Sequence, residues 1–241
     1  MIYLRSFIFM IAFFLCNALL FIVLLPSFLL PFRYFMRVPR IWAGILLWLN
    51  KVICGVTVEV RGRENFTSSG ALYAVKHQSV WDILFMVTQV PYPTFIMKRE
   101  LLYVPLFGWY LMKSRQIPID RSRGTEARRK IRQAAKRALE GGQQMLIYPE
   151  GTRRPVGAPR NYKYGVAFLY EDLGAAVHPV AHNAGIVWPR RTFMKYPGKV
   201  IVEFLPPIPA GLPKDEFFER LVSSIEDASD RLAAEGGFVK P

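Results

Sequence analysis

The stretch Ala71–Met86 reads ALYAVKHQSVWDILFM and carries three local signals in succession. Its first part, Ala71–Val75, is a short apolar run typical of a buried strand. The apolar residues Ile83–Met86 come after a polar loop and indicate a helix. Ser79 and Asp82 have the spacing of a capping box, which predicts that Ser79 is the N-cap of this helix. The stretch therefore predicts a strand, a loop and a helix in direct sequence.

The same alternation of short apolar runs and helical patterns continues along the chain. Further strands are predicted at Val56–Val60, Thr94–Met97, Gln144–Tyr148, Val177–Val180 and Val200–Phe204, and another that ends at Ile119-Asp120-Arg121. Helices are predicted at Thr125–Glu140 and Phe217–Leu232, the second from apolar residues at helical spacing. Strands that alternate with helices favour an α/β domain, which we expect to span residues 56–241.

The N-terminal part of the chain is apolar and uncharged. No residue from Ser6 to Phe32 is charged, and the run Phe7–Leu25 is long enough to cross a bilayer as a helix. The run is too long for a cleaved signal peptide, and no small-x-small site follows it. Only Arg5 precedes the run, whereas arginines follow it at positions 33, 37 and 40. This asymmetry predicts an inner or cytoplasmic membrane protein with its bulk on the cytoplasmic side.

A second apolar stretch, Ile41–Val56, is short for a membrane span. Its tryptophans Trp42 and Trp48 and the arginines before it are typical of a helix in the headgroup layer. Residues 1–55 are therefore predicted to form a two-helix membrane anchor. Three arrangements stay open: one span plus an interfacial helix, two helices within one leaflet, or a second helix that belongs to the core.

Composition limits the classes of partner. The chain has 241 residues, of which 52% are hydrophobic, and a formal net charge of +14. Such a basic chain favours anionic partners: a membrane surface, nucleic acid, or a phosphorylated or acidic ligand. Its two cysteines, Cys16 and Cys54, give neither a disulfide framework nor a zinc ligand set, so we expect no metal site.

His77 and Asp82 are the candidate catalytic pair. His77 lies in the predicted loop and Asp82 in the first turn of the helix, so the carboxylate can lie beside the imidazole. A carboxylate on one ring nitrogen fixes the tautomer and leaves the other nitrogen free to accept a proton from a hydroxyl. The local alternative is a capping aspartate next to an ordinary loop histidine. Of the three histidines, only His77 has an acid at this spacing.

The sequence Tyr148-Pro149-Glu150-Gly151-Thr152-Arg153 follows a predicted strand and can form an anion site. Gly151 permits close approach of the backbone, successive N–H groups can cradle an anion, and Arg153 adds a guanidinium that matches phosphate geometry. Arg121 and Lys98, each at the end of a predicted strand, can reach the same pocket. For each of these residues the local alternative is a solvated surface side chain. His178 and His182 are predicted to be packing or supporting residues.

Four motifs in this order resemble the glycerolipid acyltransferase family, and within it the branch that acylates 1-acyl-glycerol-3-phosphate. They are His77-x4-Asp82, Ile119-Asp120-Arg121, Pro149-Glu150-Gly151-Thr152-Arg153 and Val177-His178-Pro179-Val180. The resemblance extends over Val56–Phe204. It implies the α/β fold of that family, in which helices flank a mixed sheet, together with a two-helix N-terminal membrane motif.

The resemblance also implies the chemistry. His77 would act as general base, oriented by Asp82, in acyl transfer to the sn-2 hydroxyl of lysophosphatidic acid, which gives phosphatidic acid. The residues implied to bind or shape the phosphate site are Lys98, Arg121, Glu150, Gly151, Thr152 and Arg153. The acyl donor would be acyl-CoA or acyl carrier protein, with no cofactor and no metal. Membrane lipids are expected partners, nucleic acid is not, and the basic helix Thr125–Glu140 is a candidate contact for acidic partners.

Two departures from the family pattern bear on the acceptor. Lys76 stands where the family often has Asn, and Arg154 stands where it often has Ser. These extra cations leave open a different lysolipid, such as a lyso-ornithine lipid. A serine esterase is disfavoured because the chain lacks a Gly-x-Ser-x-Gly elbow. A non-enzymatic, membrane-tethered nucleic-acid-binding protein is the alternative of a different class, but no recognition motif for nucleic acid is present.

Overall fold

A computed structural model describes residues 1–119 and 124–238. The strands within these ranges are β1 Val56–Arg61, β2 Leu72–Val75, β3 Pro93–Lys98, β4 Ile117–Ile119, β5 Gln144–Ile147, β6 Val177–His182 and β7 Gly198–Phe204. The helices are α1 Ile2–Val23, α2 Phe32–Phe35, α3 Arg37–Cys54, α4 Trp81–Gln89, α5 Phe107–Lys113, α6 Gly124–Glu140, α7 Gly165–Leu173 and α8 Lys214–Glu235.

The strands form one mixed sheet in the order β1-β7-β6-β2-β5-β3-β4. The pairing of β6 with β7 is antiparallel, and the other neighbouring pairs are parallel. β2 lies in the middle of the sheet, between β6 and β5, and all of its residues are buried. A strand buried on both faces reads as a continuous apolar run, as Leu72–Val75 does.

The sheet lies between two layers of helices. Successive side chains of β2 point to opposite faces, because a strand has a period of two. Tyr73 and Val75 belong to a core cluster that includes residues of α1, α3 and α4. Leu72 and Ala74 belong to a second cluster, built with residues of α6, α7 and α8. The predicted α/β architecture, a mixed sheet flanked by helices, is confirmed.

The motifs meet at one edge of the sheet. β2, β3, β5 and β6 run in the same direction, so their carboxyl ends share an edge. This edge is where open α/β sheets bind their ligands. His77 follows β2, Lys98 ends β3, Tyr148 follows β5 and His182 ends β6. Residues far apart in the sequence thereby form one site.

The N-terminal segment contains one helix, among those the structure describes, that is long and apolar enough to cross a membrane. α1 has 22 residues, a mean hydropathy of 2.6 and few buried side chains. Its exposed apolar residues include Phe7, Phe14 and Leu19. These properties agree with membrane association of the chain.

α3 is amphipathic, unlike α1. It begins at Arg37, before the predicted start, and buries Val38, Ala43 and Leu46 while Ile41 and Trp48 are exposed. Phe9 of α1 is fully buried in the same core cluster as Leu46. The N-terminal helices therefore share a core with the sheet and do not form a separate hydrophobic unit.

Candidate active site

The loop between β2 and α4 places His77 beside Asp82. Nδ1 of His77 lies 3.2 Å from Oδ1 and 3.4 Å from Oδ2 of Asp82. Oδ2 also accepts hydrogen bonds from the backbone N–H groups of Gln78, at 2.9 Å, and Ser79, at 2.8 Å. The Asp82 side chain is completely buried. One carboxylate thus fixes both the loop and the orientation of the imidazole.

The predicted capping box is present with a small shift in the start of the helix. Trp81 donates its N–H to Ser79 Oγ at 3.1 Å, and Asp82 accepts the N–H of Ser79 in return. The first residue of α4 is Trp81, preceded by Val80, so the helix begins one residue later than the pattern predicts. The predicted capping role of Asp82 is therefore present, and the same carboxylate lies beside His77, as the catalytic hypothesis requires.

Asp82 is held as a carboxylate. Burial raises its pKa, but the imidazoles of His77 and His182 and the N–H of Ser79 together lower the pKa below its ordinary value. A carboxylate only accepts hydrogen bonds, so Nδ1 of His77 carries the proton. Nε2 then has the free lone pair of a general base.

His182, at the end of β6, is a second histidine close to Asp82. Its Nε2 lies 2.7 Å from the carbonyl oxygen of Lys76 and 3.6 Å from Oδ2 of Asp82, while its Nδ1 accepts the N–H of Ala184 at 3.2 Å. Burial lowers the pKa of His182, although Asp82 opposes the shift. His182 is therefore neutral, with its proton on Nε2, and has the supporting role that was predicted.

Lys76 does not reach the substrate side of the site. Its ammonium group is buried and lies 2.9 Å from Glu150 and 2.5 Å from Glu226. The other oxygen of Glu150 accepts the backbone N–H of His77 at 2.7 Å. Burial raises the pKa of Glu150, and the neighbouring Lys76 opposes this rise. Two internal carboxylates therefore neutralise Lys76, so its departure from the family pattern adds no free cation to the site.

Lys76, Glu150 and Glu226 form a buried charge cluster, and the sequence analysis did not predict Glu226 as one of its members. It lies in α8, and its carboxylate accepts a hydrogen bond from the ammonium group of Lys76, 150 residues earlier in the sequence. A signal was available, because Glu226 directly follows Ile225 on the apolar face of a predicted helix. Glutamate is almost never fully buried unless it is paired.

The loop after β5 carries the predicted anion site. Gly151 adopts a left-handed backbone, with φ of +68°, which glycine permits at little cost. The N–H of Arg154 donates to the carbonyl of His77 at 2.7 Å and ties this loop to the catalytic loop. The ring of Tyr148 packs on His77, with centroids 4.2 Å apart. Gly151, Thr152 and Arg153 consequently line one cavity with His77.

This cavity has a volume of about 570 Å³ and two kinds of wall. Lys98 and Arg153 supply positive charge beside His77. Most of the remaining lining is apolar and includes Phe21 and Trp42 from the N-terminal helices. Such a cavity suits an anionic head joined to an apolar chain. Arg121, the remaining predicted phosphate ligand, lies outside the described residues.

A second cavity is also lined by His77. Its volume is about 580 Å³, and it lies between α6 and α7, lined by Ile131, Val166 and Leu169. The imidazole is thus accessible from two largely apolar spaces. His178 is in neither cavity; its Nδ1 lies 3.0 Å from the carbonyl of Asn65 and its ring packs on Tyr73, as expected for a packing residue.

Comparison with known proteins agrees with this geometry. The family model described as Acyltransferase matches residues 57–183, more than half of the chain. A 1-acyl-sn-glycerol-3-phosphate acyltransferase of Pseudomonas aeruginosa is 40% identical over 175 residues, which cover 72% of this chain and 68% of that protein. A protein of the same name from Limnanthes alba is 29% identical over 193 residues, 77% of this chain and 66% of that one.

A solved structure extends the likeness to nearly the whole fold. The crystal structure of the 1-acyl-sn-glycerophosphate (LPA) acyltransferase from Thermotoga maritima superposes with a TM-score of 0.79. The match covers 97% of this chain and 100% of that one at 21% sequence identity, so it speaks for the fold alone. With the family model and the 40% identical relative, the family resemblance of the four motifs is confirmed: the chain is an enzyme of the acyltransferase family.

Proposed function

We propose that the chain transfers a fatty acyl group from an acyl thioester to the sn-2 hydroxyl of lysophosphatidic acid and so makes phosphatidic acid for phospholipid synthesis. One observation carries the proposal: a single cavity joins the His77–Asp82 pair, the cations Lys98 and Arg153, and an apolar wall. The names of the relatives, 1-acyl-sn-glycerol-3-phosphate acyltransferase, support this acceptor.

The proposed reaction needs one base and no covalent enzyme intermediate. Nε2 of His77 takes the proton of the acceptor hydroxyl as its oxygen bonds to the thioester carbonyl carbon. The carbon–sulfur bond then breaks, and the leaving thiolate takes the proton from His77. Asp82 stabilises the transient imidazolium through Nδ1. Because the loop is tied at several points, the imidazole is positioned before substrate binds, which lowers the entropic cost of the reaction.

In this proposal the acceptor phosphate binds Arg153 and Lys98, with Arg121 as a further ligand. Gly151 and Thr152 let the backbone approach the phosphate, while Glu150 holds the catalytic loop from beneath and does not touch the phosphate. The two apolar cavities that meet at His77 suit a reaction that brings two acyl chains together.

The proposed location is the cytoplasmic side of an inner or cytoplasmic membrane. α1 would insert its exposed apolar surface into the bilayer, and α3 would lie at the interface as the second helix of the anchor. The division into an anchor at residues 1–55 and an acyltransferase domain at residues 56–241 is a proposal too. The residues on both sides of that boundary pack in one core.

The donor is proposed to be acyl-CoA or acyl carrier protein, and no further cofactor is needed. The basic helix α6 remains a candidate contact for the carrier protein. Part of its charge is already balanced, since Lys130 pairs with Glu126 at 2.7 Å and Arg132 lies 3.7 Å from Asp172. α6 therefore offers less free positive charge than its sequence alone indicates.

The test is product identification with a panel of lysolipids. Membranes that contain the full chain would receive labelled acyl-CoA or acyl carrier protein with lysophosphatidic acid, lysophosphatidylglycerol or lyso-ornithine lipid. We expect phosphatidic acid as the main product and a raised KM for lysophosphatidic acid in Arg153→Ala, because the guanidinium would no longer pair with the phosphate. The exposed Arg63→Ala serves as the matched control. Efficient acylation of another lysolipid, with lysophosphatidic acid left unused, would contradict the proposed acceptor.

A further inference from the structure

The cavity that contains His77 has two arginines that none of the four motifs includes. Arg190 and Arg191 lie in the loop between β6 and β7, and both line the cavity with Arg153 and Lys98. They also lie beyond residue 183, where the match to the family model ends. The loop itself is anchored, since Trp188, two residues earlier, packs edge-on against Phe9 of α1 with ring centroids 5.1 Å apart.

Among the residues that the structure describes, no carboxylate pairs with these arginines. Within residues 1–119 and 124–238, no carboxylate lies within 4 Å of the guanidinium of Arg153, Arg190 or Arg191. Several other surface arginines in those ranges are paired, among them Arg61 and Arg231. Desolvation and the nearby charges of Arg191, Arg153 and Arg154 lower the pKa of Arg190. The cluster repels itself, and an anion bound there would relieve the repulsion.

The backbone conformation of Arg191 is a second observation about this loop. Arg191 has a φ of +57°, in the left-handed region that residues other than glycine rarely adopt. A solvated arginine needs no such conformation, and uncommon backbone conformations of this kind cluster at functional sites. The two adjacent arginines thus line the cavity from a turn with an uncommon backbone conformation.

The amount of charge exceeds what the acceptor needs. A phosphomonoester such as the head of lysophosphatidic acid carries at most two negative charges, which Arg153 and Lys98 can balance. Arg190 and Arg191 add two more positive charges in the same wall. Guanidinium groups match phosphate oxygens in geometry and charge, so a second phosphate is the ligand class they suit best.

We propose that Arg190 and Arg191 form a second phosphate-binding subsite, which takes a phosphate ester other than the one on the acceptor head. The inference rests on the proposed function. Two sources have this chemistry: the phosphates of the acyl donor, which both acyl-CoA and the carrier-protein arm contain, and the headgroup phosphate of a neighbouring membrane phospholipid. The donor is the source we expect, because it must lie beside His77 at the same time as the acceptor.

The test compares Arg190→Gln/Arg191→Gln with wild type in membranes of defined lipid composition. Loss of the charge-assisted contacts should raise the KM for acyl-CoA about tenfold or more. The KM for a phosphate-free S-acyl thioester and the KM for lysophosphatidic acid should stay within about twofold of wild type. Arg190→Lys/Arg191→Lys should recover part of the loss, because the charges remain.

Two controls separate a binding effect from damage to the fold. Arg63→Gln/Arg220→Gln removes two exposed charges away from the cavity and should leave every KM unchanged. Thermal unfolding midpoints of the variants in detergent should match wild type, because neither Arg190 nor Arg191 is buried. Direct binding of coenzyme A itself, measured by calorimetry, gives a readout that does not depend on turnover.

The possible results distinguish the two phosphate sources and can overturn the subsite. A raised KM for acyl-CoA together with weaker coenzyme A binding supports the subsite and names the donor as its source. An unchanged donor KM, with loss of the wild-type response to increasing phosphatidylglycerol in reconstituted vesicles, supports the subsite and names the membrane lipid. A rise only in the KM for lysophosphatidic acid, or no change at all, overturns it. If wild type acylates no lysophosphatidic acid, the proposed function itself fails and the inference falls with it.

Discussion

At the scale of single residues, Asp82 connects the fold to the chemistry. Its two oxygens face the His77 imidazole, and one of them also accepts two N–H groups of the loop that carries His77. The same bonds that begin helix α4 therefore hold the His77 imidazole, the proposed base. A local sequence pattern detects such a residue because a capping residue and its partner are close in the chain.

His182 shows what a local pattern misses. No acid lies near it in the sequence, yet β6 extends beyond the predicted Val180 and brings it to Asp82 and the carbonyl of Lys76. The contact joins residues 106 positions apart. Only the pairing of β6 with β2 makes it, and that pairing cannot be derived from spacing.

His182 also predicts a pH dependence of stability. Its pKa is lowered in the folded state, so the unfolded chain binds a proton that the folded chain resists as the pH falls below about 6.5. Stability from this group is therefore present above that pH and lost below it. We expect His182→Gln, which keeps a donor for Lys76, to lose less unfolding free energy than wild type between pH 7 and pH 5.

Urea unfolding in detergent at the two pH values would measure this difference. His178→Gln is the matched control, since that histidine lies outside both cavities. Equal losses in wild type and His182→Gln would show that His182 does not titrate as a buried neutral group.

At the scale of elements, three segments are locked together by one buried charge cluster. Lys76 after β2, Glu150 after β5 and Glu226 in α8 form two ion pairs away from water. Buried ion pairs add little stability compared with apolar residues, but removing one partner leaves an uncompensated charge. The cluster therefore fixes how these segments lie relative to one another more than it strengthens the fold.

We expect mutations of Lys76 and Glu226 to be strongly non-additive. Lys76→Met should cost about 3–5 kcal/mol of unfolding free energy, because both glutamates lose their cation. Adding Glu226→Met should restore part of that loss. The exposed pair Lys199 and Glu59, 2.9 Å apart, is the control, and Lys199→Met should have a much smaller effect. A double mutant whose cost equals the sum of the two single costs would contradict the coupling.

At the scale of the whole molecule, the N-terminal helices α1 and α3 share a hydrophobic core with the α/β sheet. Phe9 of α1 is fully buried against Trp188, whereas Phe14, five residues further along the helix, is 63% exposed. One face of α1 thus packs on the domain while the rest is available to lipid. A hydropathy pattern detects the apolar run but cannot tell these two faces apart, because almost every residue in it is apolar.

The two phenylalanines therefore give a matched test. Phe9→Ala should lower the unfolding free energy by about 3–5 kcal/mol, the usual cost of deleting a buried aromatic ring. Phe14→Ala should change it little. Thermal unfolding of both variants in detergent micelles would show the difference. Equal behaviour of the two would mean that α1 is only a tether.

Most strands, the sheet class and the family could be predicted from the sequence. Each strand has a local apolar pattern, and the family motifs lie at the ends of strands. Gln144–Ile147, for example, ends one residue before the predicted end, and Pro93–Lys98 is one residue longer than predicted at each end. The sequence analysis did not predict Glu226, the role of Lys76, or the arginines of the loop after β6. Those depend on which distant segments the sheet order brings together, and no local pattern encodes that order.

The proposed function depends on His77 as the general base of acyl transfer to lysophosphatidic acid. The most direct measurement is kcat/KM for phosphatidic acid formation by wild type, His77→Ala and the control His178→Ala at one saturating donor. We expect His77→Ala to lose about 10²–10⁴-fold of activity, the range of general-base catalysis, while His178→Ala stays close to wild type. A His77→Ala enzyme of near wild-type kcat/KM would contradict it.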